Sequence, residues 1–432
     1  MCGIFAIIND KTQKAAQTVL EGLKKLEYRG YDSWGIAAFL SSSAKKISLE
    51  KHIGKIGEAK TTLGRADIAI GHTRWATHGG VTDFNAHPHL DCQEKIAVIH
   101  NGIVENYQEI KETLIKNNHQ FRSQTDTEVI AHLIEEKLKT QSIKDAVFDS
   151  FNSIIGSNAI GVMDIESQTI IACRNGSPLV VGIDEKNQQH FLGSDVPAFL
   201  KYTNKVYFLN DGEGVIIDKN GIKLYDLKTK KQKIIKYQIL DWKLEDAEKS
   251  GYPHFLIKEI NEQKNTIAKT ASINENEIKK IVDLYKKGYQ IKIIGCGSAF
   301  YCGLTGKYFF ANNNIDVDVY GAYEYLPFEK FVNKKTLIFA ISQSGETADT
   351  LIAAKSAKKL GAKIVAIVNA RGSTLERMAD IVIPVGAGPE IAVVSTKAFT
   401  AQLATLYLIA NALNKNYSQA QQKIKKYEKN II

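Results

Sequence analysis

The chain opens MCGIFAI, with Cys2 directly behind Met1 and an apolar run behind Cys2. Cysteine is small enough for the initiator methionine to be removed. That would leave one residue with both a thiol and a free α-amine. Such an amine titrates near 8 in model peptides and can take the thiol proton, directly or through water. The thiolate is a potent side-chain nucleophile. A strand that starts at this residue would hold nucleophile and base together. The competing reading of Cys2 is a small apolar residue that caps a strand. Amide hydrolysis also needs donors for a developing oxyanion. HNGIV (100–104) offers the side-chain N–H of Asn101 and the backbone N–H of Gly102. A free amino acid needs a cation for its carboxylate and an anion for its ammonium. GHTRWATHG (71–79) carries Arg74, which can grip a carboxylate with two parallel bonds. SQTDTEV (123–129) carries Asp126 at a helix start. A surface ion pair for Arg74 and helix capping for Asp126 compete with these roles.

A second group of residues suits phosphate. GCGSAF (295–300) and SQSGET (342–347) each follow an apolar strand-like run, and the second leads into a helical pattern. Ligands of open parallel sheets bind at the carboxyl ends of strands, and free N–H groups at a helix start favour anions. Ser342, Ser344 and Thr347 add hydroxyls, Gln343 adds an amide, and Gly345 lets the backbone come close. Neither turn has the glycine register of a dinucleotide site or the lysine of a P-loop. Two ordinary polar turns are the alternative. His72, His78, His87 and His89 lie near one another in sequence, but their spacing suits no metal and no carboxylate or cysteine falls in register. No metal and no organic cofactor is expected.

These residues need two different scaffolds. Up to residue 227 the strand-like runs are short and closely spaced: 4–9, 34–40, 68–75, 95–104, 159–165, 169–176 and 205–218. Helical patterns fall at 11–27, 105–116, 126–139 and 143–155. This predicts antiparallel sheet with packed helices. Residues 228–275 are rich in Lys, Glu and Gln and read as a connecting segment with some helix. From 276 to 432 strands and helices alternate, which predicts a doubly wound parallel sheet. The expected organisation is therefore 2–227, 228–275 and 276–432.

The 432 residues are 44% hydrophobic and 24% charged, as in ordinary globular proteins. Net charge is +9, but the lysines are dispersed, so no nucleic acid is expected. There is no run of 18 apolar residues and no basic leader, so no membrane span and no signal peptide. Five cysteines with no CxxC read as reduced thiols of a cytoplasmic protein.

The ordered motifs MCGIFAI, LEYRGYDSWG, GHTRWATHGG, NAHPH, HNGIVEN, SQTDTEV and GSPLVVG resemble the N-terminal-nucleophile glutamine amidotransferases. More narrowly, they resemble the glutaminase domain of the glutamine–fructose-6-phosphate aminotransferases (isomerizing), the glucosamine-6-phosphate synthases. HFLIKEINEQ, ISQSGETADTL and PEIAVVSTKAFTAQL are similar to the first sugar isomerase (SIS) domain of that family. The resemblance implies an αββα N-terminal-nucleophile sandwich followed by an α/β SIS domain. It implies Cys2 as nucleophile, Asn101 and Gly102 as oxyanion hole, and Arg74 and Asp126 on the ends of glutamine. Trp75, Thr77 and His78 would belong to the lid and pocket. Tyr28 and Arg29 would face the ammonia path. Ser342, Gln343, Ser344 and Thr347 would hold the sugar phosphate, with Ser298, Val393 and Ser395 near the sugar.

Five positions depart from the family pattern: Trp34 where a small residue follows YDS, Lys264 where Pro follows NEQ, Ser298 and Ala299 in Gly297-Ser298-Ala299 for Gly-Thr-Ser, and Ala392 for a glycine. The family's isomerisation groups lie in a second SIS domain and tail, and no second SQSGET-like turn occurs here. The expectation is a chain that stops before that domain, with a complete glutaminase site and an incomplete isomerase site. The expected substrates are L-glutamine and fructose 6-phosphate, the expected assembly a homodimer. The alternative is a glutaminase with a sugar-phosphate-binding regulatory domain. The phosphoribosyl-pyrophosphate amidotransferases share the glutaminase type, but the SQSGET turn argues against them.

Overall fold

The computed structural model describes residues 2–9, 11–40, 46–240 and 250–427. The chain forms two compact units, Met1–Trp242 and Lys243–Ile432.

The first unit runs β1 (Gly3–Ile8), α1 (Ala15–Lys24), β2 (Ser33–Phe39), β3 (Ser48–Ile53), β4 (Ile68–Arg74), β5 (His89–Leu90), β6 (Ile96–Gly102), α2 (Tyr107–Lys116), α3 (Glu128–Leu138), α4 (Ile143–Ser153), β7 (Asn158–Asp164) and β8 (Thr169–Asn175). It continues with β9 (Val180–Asp184), β10 (Gln189–Gly193), β11 (Lys205–Phe208), β12 (Glu213–Asp218), β13 (Gly221–Asp226), β14 (Gln232–Lys233) and β15 (Gln238–Ile239). Two antiparallel sheets result, in the orders β15-β11-β9-β10-β1-β4-β2-β3 and β14-β13-β12-β8-β7-β6-β5.

Strand alternation sorts β1 between two cores. Ile4, Ala6 and Ile8 meet Ala97, Ile99 and Met163 of the facing sheet. Phe5 and Ile7 turn the other way, onto Val19, Leu20 and Leu23 of α1. On the far side of the second sheet, Val98, Ile160 and Val162 pack on Val129, Ile134 and Phe148 of α3 and α4. The unit is thus the four-layer αββα sandwich. Covering both faces of β1 explains why its sequence is an unbroken apolar run rather than an alternation.

The stretch 205–218 divides where the sequence reading ran through. Lys205–Phe208 belongs to the first sheet and Glu213–Asp218 to the second. Between them Asn210, Asp211 and Gly212 make a turn, with Gly212 at φ +78°. Within 228–275, β14 and β15 pair at sheet edges and a long helix starts at Phe255; 241–249 lie outside the described residues.

The second unit runs α5 (Phe255–Ser272), α6 (Glu275–Lys286), β16 (Gln290–Gly295), α7 (Ser298–Ala311), β17 (Asp318–Gly321), β18 (Thr336–Ser342), α8 (Ala348–Lys359), β19 (Lys363–Val368), α9 (Thr374–Met378), β20 (Ile381–Pro384), α10 (Lys397–Leu413) and α11 (Tyr417–Tyr427). Its sheet is all parallel, in the order β17-β16-β18-β19-β20. Ile281, Phe310, Ala401 and Leu408 cover one face, and Ala353, Ala354 and Ala357 of α8 cover the other. The chain leaves β16 toward β17 and then crosses back to β18. The topological switch point, where such sheets open a crevice, therefore lies between β16 and β18. Among the described residues no helix is long and apolar enough to cross a membrane.

Candidate functional site

Cys2 stands at the mouth of β1 with its neighbours pinned. Gly3 N donates to Thr73 Oγ1 at 3.1 Å and Ile4 N to Ser194 Oγ at 3.0 Å. The carbonyl of Cys2 accepts from Asn101 Nδ2 at 2.9 Å and Arg29 Nε at 3.2 Å. Arg29 pairs with Asp195, whose carboxylate also accepts from Tyr28 Oη at 2.6 Å. The thiol receives the Trp75 N–H at 3.2 Å and points back to Trp75 O at 3.6 Å. Burial pushes the thiol pKa up, and the Trp75 bond and the positive charges of Arg74 and Arg29 work against that rise. A half-buried thiol with a raised pKa needs a base to become a nucleophile. Met1 lies outside the described residues.

Asn101 ends β6, and its amide is oriented by a residue that the sequence reading did not credit. His72 Nε2 lies 2.9 Å from His100 O and 3.1 Å from Asn101 Oδ1. Both partners are acceptors, so Nε2 carries the proton. Burial pushes the pKa of His72 down to about 3, so the ring is neutral. With Oδ1 accepting from His72, Nδ2 must face Cys2. The available signal was the period of two on β4, which puts His72 on the same side as Arg74. Gly102 follows at φ +142°, where a Cβ would lie 2.2 Å from Ser157 O; only glycine fits there. Of the other histidines, His87 stacks on His72 at 4.2 Å and His89 meets His87 edge-on at 4.8 Å. Burial drives both well below the usual histidine range.

Arg74 is 3% exposed, and Asp126 4%. The Arg74 guanidinium donates to Gly80 O at 3.1 Å and Gly79 O at 3.3 Å, and also to His78 O. It therefore ties down the loop that carries Trp75, Thr77 and His78. Trp75 is 40% exposed, with its ring 5.4 Å from Tyr31. His78 lies edge-on to Tyr107 at 5.6 Å, and Thr77 is exposed. Asp126 does not cap α3. The cap position is Thr127, without a side-chain bond, and Asp126 Oδ2 instead accepts from Val104 N at 2.7 Å. Asp126 is therefore a buried carboxylate bonded to a neighbouring loop and lying near Arg74.

In the second unit the turn after β18 is built from its own hydroxyls. Ser342 Oγ accepts from Gly345 N at 2.9 Å and lies 3.1 Å from Thr347 Oγ1. Ser344 Oγ accepts from Glu346 N at 3.2 Å. Gln343 O accepts from Asn369 N at 3.2 Å and Ala370 N at 3.0 Å, which joins the turn to the loop after β19. Gly345 sits at φ +65°, with the place of a Cβ filled by Ser373 Oγ at 2.1 Å. Thr347 caps α8 without a side-chain bond, so the first-turn N–H groups get no cap from it. Ser298 starts α7 just after Gly297. The two turns flank the switch point.

Val393 and Ser395 lie farther along, in the loop after the edge strand β20. Val393 is 71% exposed. Ser395 Oγ donates to Glu390 at 2.9 Å, and Glu390 also accepts from Thr396 N and Ala398 N at the start of α10. Among the described residues no hydrogen bond links these two positions to the serine turn. The residues holding that loop were missed in the sequence. Glu259 of α5 accepts from Ile391 N at 2.6 Å and Ala392 N at 3.1 Å. Lys397 pairs with Glu262 at 2.6 Å.

Two family models match: a glutamine amidotransferase domain over residues 72–201 and a SIS domain over 283–412. Among curated relatives, the glutamine–fructose-6-phosphate aminotransferase (isomerizing) of Thermococcus kodakarensis is 43% identical over 96% of this chain and 69% of its own length. That of Pyrococcus horikoshii is 45% identical over 96% and 70%. The chain belongs to the family of glutamine–fructose-6-phosphate aminotransferases (isomerizing). A solved glutamine phosphoribosylpyrophosphate amidotransferase from B. subtilis is similar at 17% identity and TM-score 0.46, over 89% of this chain and 91% of that one.

The departures from the aminotransferase pattern have local accounts. Trp34 is 3% exposed in the core beneath α1 and stacks on His52 at 4.4 Å, its partner across β2 and β3. Lys264 lies inside α5, which runs as one helix through the position where the aminotransferases usually have Pro. Ala392 keeps its backbone N–H on Glu259, so this part of the loop is held without a glycine.

Proposed function

We propose that this chain uses glutamine as nitrogen donor for the synthesis of glucosamine 6-phosphate from fructose 6-phosphate. The observation that carries this reading is Cys2 in a pinned strand mouth, with Asn101 bonded to its carbonyl and Arg74 and Asp126 buried nearby. Cys2 Sγ attacks the glutamine amide carbon, the C–N bond breaks, and ammonia leaves with the thiol proton. Water then hydrolyses the thioester, releasing glutamate and restoring the thiol. Asn101 Nδ2 and the Gly102 N–H are the oxyanion donors, with Trp75, Thr77 and His78 closing over the substrate. Ammonia condenses with the carbonyl carbon of open-chain fructose 6-phosphate with loss of water, and isomerisation of that imine, by groups that the family resemblance places in a second SIS domain, completes the amino sugar. Ser342, Gln343, Ser344 and Thr347 hold the phosphate, with Ser298 beside them. The regulatory-domain alternative is not favoured, because relatives that match along nearly the whole chain are named aminotransferases. The reading includes a homodimer, which light scattering tests, and a cytoplasmic location, supported by five unpaired cysteines.

The test is to incubate the protein with glutamine and fructose 6-phosphate and to measure glutamate and glucosamine 6-phosphate separately. Absence of glutamate release from protein that lacks Met1 would sink the proposal.

Two further outcomes are expected. Asn101→Ala will lower kcat for glutamate release by about 10²–10³, the cost of one oxyanion donor, with little change in KM. His72→Ala will lose kcat in the same sense but less, because Asn101 then orients freely. A His72 variant altered only in KM would refute its orienting role. For the sugar site, fructose 6-phosphate will raise the melting temperature of the parent. Ser344→Ala combined with Thr347→Ala will remove most of that rise. An unchanged shift in the double variant would place the phosphate elsewhere.

A further inference from the structure

A second cluster of chemistry-bearing side chains lies in the first unit, formed by elements other than the strand mouth of Cys2. Cys92 is in the turn between β5 and β6, and His119 follows the end of α2. His132 and Glu135 sit three residues apart on one face of α3. The donor atoms Cys92 Sγ, His119 Nδ1, His132 Nδ1 and Glu135 Oε all lie within 4.8 Å of one another. We propose that Cys92, His119, His132 and Glu135 form a tetrahedral site for a borderline-soft divalent cation of the zinc type.

The sulfur–nitrogen distances are those of a coordination shell, and the carboxylate lies slightly closer to the two nitrogens than a bound metal would hold it. With bonds of about 2.3 Å to sulfur and about 2.0–2.2 Å to nitrogen or oxygen, a tetrahedron has S···N edges of about 3.5 Å and N···O edges of about 3.4 Å. Cys92 Sγ is 3.7 Å from His119 Nδ1 and 3.5 Å from His132 Nδ1. Glu135 Oε2 is 3.0 Å and 3.3 Å from the same two nitrogens. The ring nitrogens on the far side also face carboxylates. His119 Nε2 is 2.8 Å from Glu136 Oε2, and His132 Nε2 is 3.6 Å from Glu128 Oε1. The carboxylate behind His119 is at hydrogen-bond distance and would fix its tautomer and ring plane, whereas His132 Nε2 makes no hydrogen bond among the described residues.

Hydrogen bonds also join these residues, including the Cys92 N–H to Glu135 Oε2 at 3.1 Å; the feature that points to a metal is the thiol set against both Nδ1 atoms. The thiolate also selects the metal, because magnesium and calcium take oxygen ligands. Four protein donors leave no open position, so the role is structural. The cation would staple the β5–β6 turn and the α2–α3 connection to α3, whose start carries Asp126. His119 and His132 are 8% and 1% exposed.

The test uses the full chain, stripped with a chelator and then dialysed against zinc or cobalt. Cys2→Ser in the background removes the thiol at the strand mouth as a competing ligand. One zinc per chain by elemental analysis is expected, with a melting temperature that rises on loading. Cobalt should give a thiolate charge-transfer band. Cys92→Ser and, separately, His132→Gln should each weaken zinc binding by at least about 100-fold, and Cys92→Ser should remove the band. No zinc above background in the Cys2→Ser protein would overturn the proposal without reference to any ligand variant. Equal zinc affinity with and without the Cys92 and His132 substitutions would overturn it as well.

Discussion

Cys2→Ala will abolish glutamate release while leaving the fold intact. The side chain is small, and its backbone is held by groups that alanine does not disturb. Asn101 and Arg29 bond the carbonyl of residue 2, and Thr73 and Ser194 bond the amides of residues 3 and 4. What alanine removes is the one nucleophile. Cys2→Ser tests the base as well as the nucleophile. The serine hydroxyl is a far poorer nucleophile than the thiolate at neutral pH, so it too should release no measurable glutamate. Because burial raises the Cys2 pKa, the resting group is a thiol, and the proposed base is the α-amine exposed when Met1 is removed. Protein shown by intact mass to retain Met1 should therefore be nearly inactive. Normal turnover by the Met1-bearing form would rule out the terminal amine as base, and the nucleophile assignment would stand or fall separately with Cys2→Ala.

The second unit was readable almost element by element. The apolar runs TLIFAIS, KIVAIV and IVIP are β18, β19 and β20. Parallel strands covered on both faces are continuous apolar runs bounded by turn residues, and such runs have sharp ends. The first unit was less legible where polarity masks pairing. SLEKHI forms β3 at a sheet edge with most of its residues exposed, so it shows neither an apolar run nor alternation. The two strands within 205–218 were merged because both are apolar and the turn between them is short.

The site divides in the same way. Cys2, Asn101, Arg74 and Asp126 declare themselves because each carries the functional group that the chemistry needs. His72 and Glu259 act through another residue's amide or backbone, and only the fold brings them to it. Cys92, His119, His132 and Glu135 escaped for the same reason: they come from a turn, a helix exit and a helix face, with no local spacing to read.

Glutamine binding will collapse when either end of its zwitterion loses its partner. Arg74→Ala and Asp126→Ala should each cost about 2–5 kcal/mol, because the opposite charge of the ligand is then buried unpaired. That corresponds to a loss of affinity of roughly 30- to 5,000-fold. The two sites differ in what else they hold, which makes the comparison informative. Asp126 also accepts the Val104 N–H, so Asp126→Ala leaves a buried donor unsatisfied and loosens the loop after β6. Asp126→Asn keeps an acceptor for Val104 and removes only the charge. If the carboxylate binds ammonium, the Asn variant will fold like the parent and still lose most of the affinity. If Asp126 merely holds the loop, the Asn variant will bind glutamine normally. Arg74 bonds carbonyls of an exposed loop, which water can serve in its place, so Arg74→Ala should weaken binding without a large fall in melting temperature. Isothermal titration on a Cys2→Ser background, where glutamine is not consumed, reads both effects directly. Parent-like affinity in Arg74→Ala and Asp126→Asn together would mean that the glutamine carboxylate and ammonium lie elsewhere, and the proposed roles of both residues would fall.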